Sequence, residues 1–309
     1  MKCVVTGGSG FIGSHLVDRL LAEGHSVAVL DSRQPIQVEN PAASGNVEWL
    51  NKDIRVDLGD IFRGYDCIYH LAAMANAIEC TKAPDLCIAT NILGTTNILA
   101  AALKGGVDRV ILASTCWVAG AQEGDIITED SLFRLDQVNT IYGASKIAQE
   151  MLCYSFFSEY KAPKYTILRY GIPYGERMRK GLVIRIFMEL AEKSGVIKIA
   201  GDGKQARDFL YVGDLCEAHI LALNPIAENK VYNLPGPNLI TIKEVAGEVT
   251  KYFAAKIEHT PQNRVEPKLK HIEGELAKTE LGWVAKTTFE DGVKKCVEWW
   301  NSLTKNQTQ

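Results

Sequence analysis

The sequence has no CxxC pair, no block of like charge, no internal repeat and no low-complexity tract. Its eight cysteines, Cys3, Cys67, Cys80, Cys87, Cys116, Cys153, Cys216 and Cys296, are scattered. In a long chain such spacing reads as buried thiols rather than a disulfide framework, and no structural metal is expected. Acidic and basic residues, 37 and 34 respectively, are interspersed and leave a formal net charge of -3. That balance offers no electrostatic reason to bind nucleic acid or a membrane surface; a small anionic ligand fits better. No apolar run approaches the roughly 20 residues that cross a bilayer as a helix. Met1 leads into an apolar segment without a basic leader or a small-residue cleavage site, so a soluble, cytoplasmic protein is expected. What the chain does have is apolar residues, 47% of 309, enough for a large core in one elaborated domain or two closely joined ones.

The first half alternates short β-branched runs with helical segments: KCVVT, FIGSHLVDRLLAEG, SVAVLD, YDCIYHLAA, a helix over Asp85 to Leu103, and RVILAST. A longer helix over Tyr142 to Tyr160 and the strand TILRYG follow. Strands buried on both faces read as continuous apolar runs, so this rhythm predicts a doubly wound parallel α/β (Rossmann) sheet over residues 1–170. Beyond Gly171 the rhythm loosens. Residues 171–309 are read mainly as a smaller α/β substrate-binding domain, with a return segment to the first domain near 205–235.

The segment TGGSGFIG sets Gly7, Gly10 and Gly13 between a predicted strand and a predicted helix. Glycines there permit a tight turn and a close approach of backbone amides to a pyrophosphate, at a helix end carrying partial positive charge. A glycine triplet alone marks no more than a turn. Here Asp31 ends the second predicted strand at the spacing of a dinucleotide fingerprint, where its carboxylate would bond the adenosine ribose hydroxyls and repel a 2′-phosphate. NAD is thus favoured over NADP, although Arg33 nearby is a residue type that can welcome that phosphate. Phe11 and Ile12 between the glycines, and Ser32 beside Asp31, complete this end.

Tyr142 and Lys146 stand one helical turn apart in YGASK, on one face. A free tyrosine, with a pKa of about 10, is a poor base near neutrality, and an adjacent ammonium would stabilise its phenolate. Taken alone the pair is a common surface coincidence. Ser114 and Thr115 change its weight, because they end an apolar strand at the carboxyl edge where open α/β sheets bind ligands. Thr115 can then hydrogen-bond a reacting hydroxyl.

These segments, together with KDIR, HLAA, NILGT, RYGIPYGER, GDGKQARDFLYVGD and a late LGW, resemble the extended short-chain dehydrogenase/reductases, and within them the nucleotide-sugar epimerases typified by UDP-glucose 4-epimerase. The resemblance spans nearly the whole chain. It implies that Asp53 and Ile54 contact adenine, that Leu71, Ala72 and Ala73 pass over the pyrophosphate and ribose, that Asn91 supports the cofactor region, and that Tyr170 lies near the nicotinamide. Arg207, with Arg264, would hold the substrate diphosphate; Cys116 and Ile172 would line the substrate site. A homodimer through the helices near Asp85 to Leu103 and Tyr142 to Tyr160 is also implied.

Departures from the family pattern narrow the reaction. Members that dehydrate the sugar carry an Asp and a Glu after the threonine; Cys116 and Trp117 stand there. Ile172 occupies a place where many epimerases have asparagine, and Glu176 replaces a proline. Arg177, Arg179, Lys180 and Arg185 cluster beyond, either as a solvated face or, for Arg185 in particular, as a reader of a uronic-acid carboxylate. The expected activity is NAD-dependent 4-epimerisation of a UDP-hexose (glucose/galactose or glucuronate/galacturonate) through a 4-keto sugar. A reductase or dehydrogenase acting on a nucleotide sugar and a non-catalytic dinucleotide sensor are the alternatives.

Overall fold

A computed structural model of the chain describes residues 1–33, 47–119, 126–131, 133, 136, 138–261 and 271–306. Its strands, in chain order, are β1 (Lys2–Thr6), β2 (Ser26–Asp31), β3 (Val47–Asn51), β4 (Cys67–His70), β5 (Arg109–Thr115), β6 (Lys164–Tyr170), β7 (Ile172–Tyr174), β8 (Val196–Ala200), β9 (Ala206–Tyr211), β10 (Lys230–Leu234), β11 (Leu239–Thr241) and β12 (Lys256–Thr260). The helices are α1 (Phe11–Ala22), α2 (Ala77–Lys82), α3 (Pro84–Ile88), α4 (Gly94–Gly105), α5 (Ile141–Tyr160), α6 (Val183–Ser194), α7 (Val212–Leu221), α8 (Ile242–Thr250), α9 (Glu275–Leu281) and α10 (Phe289–Asn306).

Alternation along the strands divides the core in two. In β1, Cys3 and Val5 join one apolar cluster and Val4 the other; in β5, Ile111 and Ala113 part from Val110 and Leu112 in the same way. Successive side chains point to opposite faces, so a strand apolar throughout is stable only with cover on both sides. Leu16, Val17 and Leu20 of α1 and Leu215 of α7 cover the first face, while Ile98, Leu99 and Ala102 of α4 and Cys153 of α5 cover the second. The result is a seven-stranded sheet in the order β3-β2-β1-β4-β5-β6-β10, parallel throughout. The expected doubly wound Rossmann sheet is present.

Chain order reverses between β1 and β4, the switch point at whose carboxyl edge such sheets bind ligands. Thr6, Asp31, His70, Thr115 and Tyr170, each the last residue of its strand, are brought to that edge. Strand β3 was not anticipated from the sequence, because it lies at the sheet edge with Glu48 exposed and Val47, Trp49 and Leu50 half-buried.

After β6 the chain builds a three-stranded sheet (β11-β9-β7) and a two-stranded one (β12-β8). It then returns, since Lys230–Leu234 pairs in register with Thr166–Tyr170. The first apolar cluster continues through Phe209 and Leu215 to Trp283, Val293 and Trp300, so the carboxyl-terminal elements share a core with α1.

Helices α3 and α4 are joined by a π-helical turn over Ala89–Leu93 into one stretch of 22 residues, Pro84–Gly105, which contains an 18-residue window of mean hydropathy 1.6. By length and composition this stretch could cross a bilayer, which corrects the expectation that no run approaches that length. Its inner face, including Thr95, Ile98 and Leu99, packs into the sheet core.

Candidate active site

The glycine turn is built by close backbone contacts. Gly7 has φ +70°, a conformation that favours glycine, and a Cβ there would lie 2.9 Å from Ala72 Cα. A Cβ on Gly13 would lie 2.3 Å from the Gly7 carbonyl oxygen, so only glycine lets α1 start this close to β1. Among the described residues no side chain caps α1 at Gly10. The unpaired amides of its first turn therefore remain available to an anion. Asp31, 7% exposed, closes this end: its carboxylate accepts from the Ser9 amide (3.1 Å), the Arg33 amide (3.0 Å) and Arg33 Nε (3.3 Å).

Behind the turn, Thr6 Oγ1 bonds His70 Nδ1 at 2.8 Å and accepts from the Ala72 amide, while His70 Nε2 meets Thr95 Oγ1 at 2.8 Å. Burial lowers the His70 pKa to about 3, so this ring is neutral and ties the glycine turn to the segment Leu71–Ala73. Asn91 continues the support. It sits in the π-helical turn, fully buried, accepts from the Met74 amide (2.7 Å) and donates to the Met74 carbonyl (3.1 Å) and Ser145 Oγ (2.9 Å).

At the other end, β5 delivers Ala113, Ser114 and Thr115 to the edge and α5 faces them. Thr140 caps α5, accepting from the Gly143 amide at 3.0 Å, which starts the helix just before Tyr142. Thr115 and Tyr142 line the cleft together, and Lys146 Nζ donates to the Ala113 carbonyl at 2.8 Å. Burial pushes the Tyr142 phenol up; the Thr115 hydroxyl and the Arg179 guanidinium oppose that shift. Burial also lowers the Lys146 pKa to about 8, against a raising influence led by Glu150.

One cleft of about 1100 Å³ joins the two ends. Gly7, Gly10, Phe11, Ile12, Gly13, Asp31, Ser32, Asp53, Ile54, Leu71, Ala72 and Ala73 line it toward the turn, with Ser114, Thr115, Tyr142, Lys146, Tyr170 and Ile172 at the other end. Not every expected residue is there. Asn91 lies behind the wall, holding Met74 rather than facing a ligand. Cys116 is buried outside the lining, and Trp117 takes its place.

Arg185 is turned away: its Nη1 donates to the Met178 carbonyl at 2.7 Å, its Nε to Glu189, and it stacks on Trp299 and Trp300. It is a buried structural residue, and the expectation that it reads a carboxylate is withdrawn. Arg207 does not line this cleft either; its Nη1 meets the Ala206 carbonyl at 2.8 Å. Arg264 lies outside the described residues. Arg177, Arg179 and Lys180 do line the cleft, Arg177 being paired with Asp18 of α1. Arg179 and Lys180 are exposed, and the basic run in the sequence was the signal for them.

A cradle that glycine alone can form, an uncapped helix start and a carboxylate at the end of β2 suit a dinucleotide diphosphate with a free ribose. The family model for the NAD dependent epimerase/dehydratase family matches residues 3–234. The chain belongs to that family. It is 31% identical, over 96% of its length and 97% of the relative's, to a Methanocaldococcus jannaschii protein provisionally named a UDP-glucose 4-epimerase. It is 29% identical, over 98% of both chains, to a UDP-N-acetyl-alpha-D-glucosaminuronate decarboxylase of Bacillus cytotoxicus.

Among solved structures, the UDP-glucose 4-epimerase of Thermotoga maritima with UDP-glucose matches with a TM-score of 0.89 at 27% identity, over 98% of this chain and 100% of that one. MoeE5 in complex with UDP-glucuronic acid and NAD matches at 0.88 and 26%, with the same coverage. This chain is thus an NAD-dependent enzyme of the nucleotide-sugar epimerase/dehydratase family.

Two outcomes are expected. Gly13→Ala forces α1 away from the Gly7 carbonyl, at a cost of about 1–3 kcal/mol in urea denaturation, and weakens NAD binding roughly tenfold or more by calorimetry. Chemistry that needs the Lys146 ammonium is fully supported below its pKa, so turnover measured from pH 6 to 10 should fall as pH rises through about 8.

Proposed function

We propose that the enzyme is a 4-epimerase of a UDP-hexose. The observation that carries the reading is that Thr115 at the end of β5 and Tyr142 on α5 line one cleft beside a buried Lys146 bonded to the Ala113 carbonyl. In the proposed reaction Thr115 orients the sugar O4 hydroxyl and Tyr142, as phenolate, takes its proton. Lys146 holds positive charge against that phenolate. Bound NAD would supply the hydride acceptor that allows a transient 4-keto sugar. After the sugar has presented its other face the hydride would return to C4 and Tyr142 returns the proton to O4, so no net oxidation results. Gly7, Gly10, Gly13 and Asp31 would hold the cofactor. Cys116 and Trp117 follow Thr115 directly, so neither adjacent position offers an acid or base for eliminating water.

The test is a panel of UDP-, TDP-, GDP- and CDP-sugars, with product stereochemistry, carbon dioxide release and nicotinamide absorbance followed together. Epimer formation without a steady absorbance change or gas release is expected with a UDP-hexose. Net cofactor turnover would favour the nucleotide-sugar reductase or dehydrogenase instead, and carbon dioxide a decarboxylase. Tyr142→Phe should lower kcat by roughly 10²–10⁴; unchanged activity would remove Tyr142 from the chemistry.

A uronate substrate is favoured by the exposed Arg179 and Lys180 in the cleft wall, with Arg179 close enough to Tyr142 to stabilise its phenolate. A UDP-glucuronate 4-epimerase of Thermodesulfobacterium geofontis, 29% identical over 96% of this chain, is among the relatives. Arg179→Ala should reduce kcat/KM on UDP-glucuronate about tenfold or more, roughly 1.4 kcal/mol, and leave UDP-glucose much less affected. Equal loss on both substrates would sink this reading.

A homodimer is supported by Ile78, Leu86, Ile88 and Leu93 on the α2–α4 side and Met151 on α5, all exposed large apolar residues. Such a surface suits burial against a second copy. Light scattering should return twice the chain mass, and Leu93→Asp with Met151→Asp should return the monomer.

A further inference from the structure

Helix α5 meets the end of β5 at one residue per turn. Tyr142, Lys146 and Glu150 are four residues apart and share one face. Tyr142 lines the cleft with Thr115, Lys146 Nζ donates to the Ala113 carbonyl, and Glu150 Oε1 accepts from Ser114 Oγ at 2.5 Å. So two adjacent strand residues, Ala113 and Ser114, are held by two successive turns of the helix. Arg169 of β6 is the register partner of Ser114 in the sheet. It grips the same carboxylate, with Nε 3.0 and 3.2 Å from the two oxygens and Nη2 2.7 Å from Oε2.

Glu150 is 0% and Arg169 3% exposed. A buried ion pair of this kind is often no more stabilising than apolar residues of equal volume. Stability alone therefore gives little reason for it, and the reading of Tyr142 and Lys146 as the reacting pair assigns Glu150 no part. Its surroundings suggest one. The groups facing Lys146 are His70 of β4, Cys80 of α2, Cys87 of α3, and Tyr142, Glu150 and Cys153 of its own helix. His70 is neutral and the thiols are buried. Glu150 is the one carboxylate in that set.

We propose that Glu150 is a positioning residue for the reacting pair: anchored by Arg169, its carboxylate fixes Ser114 at the strand end and supplies the charge that keeps the buried Lys146 an ammonium. This rests on the reading of Tyr142 and Lys146 as the reacting pair. It places Glu150 out of contact with substrate and cofactor, acting through its two neighbours.

The test reads Lys146 directly, without turnover, in NAD-loaded protein carrying ¹³C-labelled lysine, with Lys146→Met identifying the resonance. In Glu150→Gln the Lys146 titration midpoint should fall by about one pH unit or more, the size expected for losing a nearby opposite charge. Because Glu150→Gln leaves Arg169 unpaired in the core, Glu150→Gln with Arg169→Met removes both charges, and a smaller fall in the same direction is expected. Glu150→Asp keeps the charge and should titrate closer to the wild type than to the glutamine protein. An unmoved midpoint in either folded charge-removing variant, even with lowered thermal stability, overturns the proposal. Since no substrate takes part, that failure is separate from failure of the epimerase reading.

Discussion

The site depends on parallel strands ending together. In a sheet whose neighbours run in the same direction and in register, the last residues of adjacent strands share one edge. That constraint sets Thr6 beside His70 and Asp31 beside the glycine turn, and it carries Thr115 and Tyr170 to the same cleft. No loop has to reach across the molecule to assemble these groups. The helices following the strands fill in what the edge lacks: α1 contributes free amides, and α5 contributes Tyr142 and Lys146.

Three polar side chains behind the edge, His70, Asn91 and Glu150, are buried and held by partners rather than left to solvent. His70 is neutral between two threonines, Asn91 spends its amide on Met74 and Ser145, and Glu150 meets Arg169 and Ser114. Buried polar atoms without partners are costly, so a satisfied network restricts the core to one arrangement. These residues contact the cleft residues from behind. Rigidity at Leu71–Ala73 and at Ser114–Thr115 follows from side chains that do not touch a ligand.

Residues whose roles follow from local spacing were legible in the sequence. Gly7, Gly10, Gly13 and Asp31 announce themselves by a strand-turn-helix pattern, and Tyr142 with Lys146 by one helical turn; the structure gathers them in one cleft. Residues whose side-chain direction is set by distant packing were not. Arg185 and Arg179 belong to one basic run, yet Arg185 faces Trp299 and Trp300 from the last helix, a contact over a hundred residues away that no periodicity encodes. Asn91 and Cys116 were one layer too deep for the same reason. Glu150 could have been found, because it continues the spacing of Tyr142 and Lys146 by one more turn.

The residue pair after Thr115, Cys116 and Trp117, bears on the reaction. The cleft wall there carries the indole of Trp117 where dehydrating members of the resembling family carry an acid. A carboxyl at that place can move a proton at a second carbon of the sugar; an indole cannot, since its N–H is a donor that does not titrate in water. In the proposed reaction Tyr142 is the group beside Thr115 that exchanges a proton with the sugar, and one exchanging group acting twice at the same oxygen suits a reaction that ends with the oxidation state it began with. A relative named as a decarboxylase is as similar over the whole chain as one named as a 4-epimerase. The direction taken therefore turns on what stands around Tyr142: Trp117 on one side, Arg179 and Lys180 on the other.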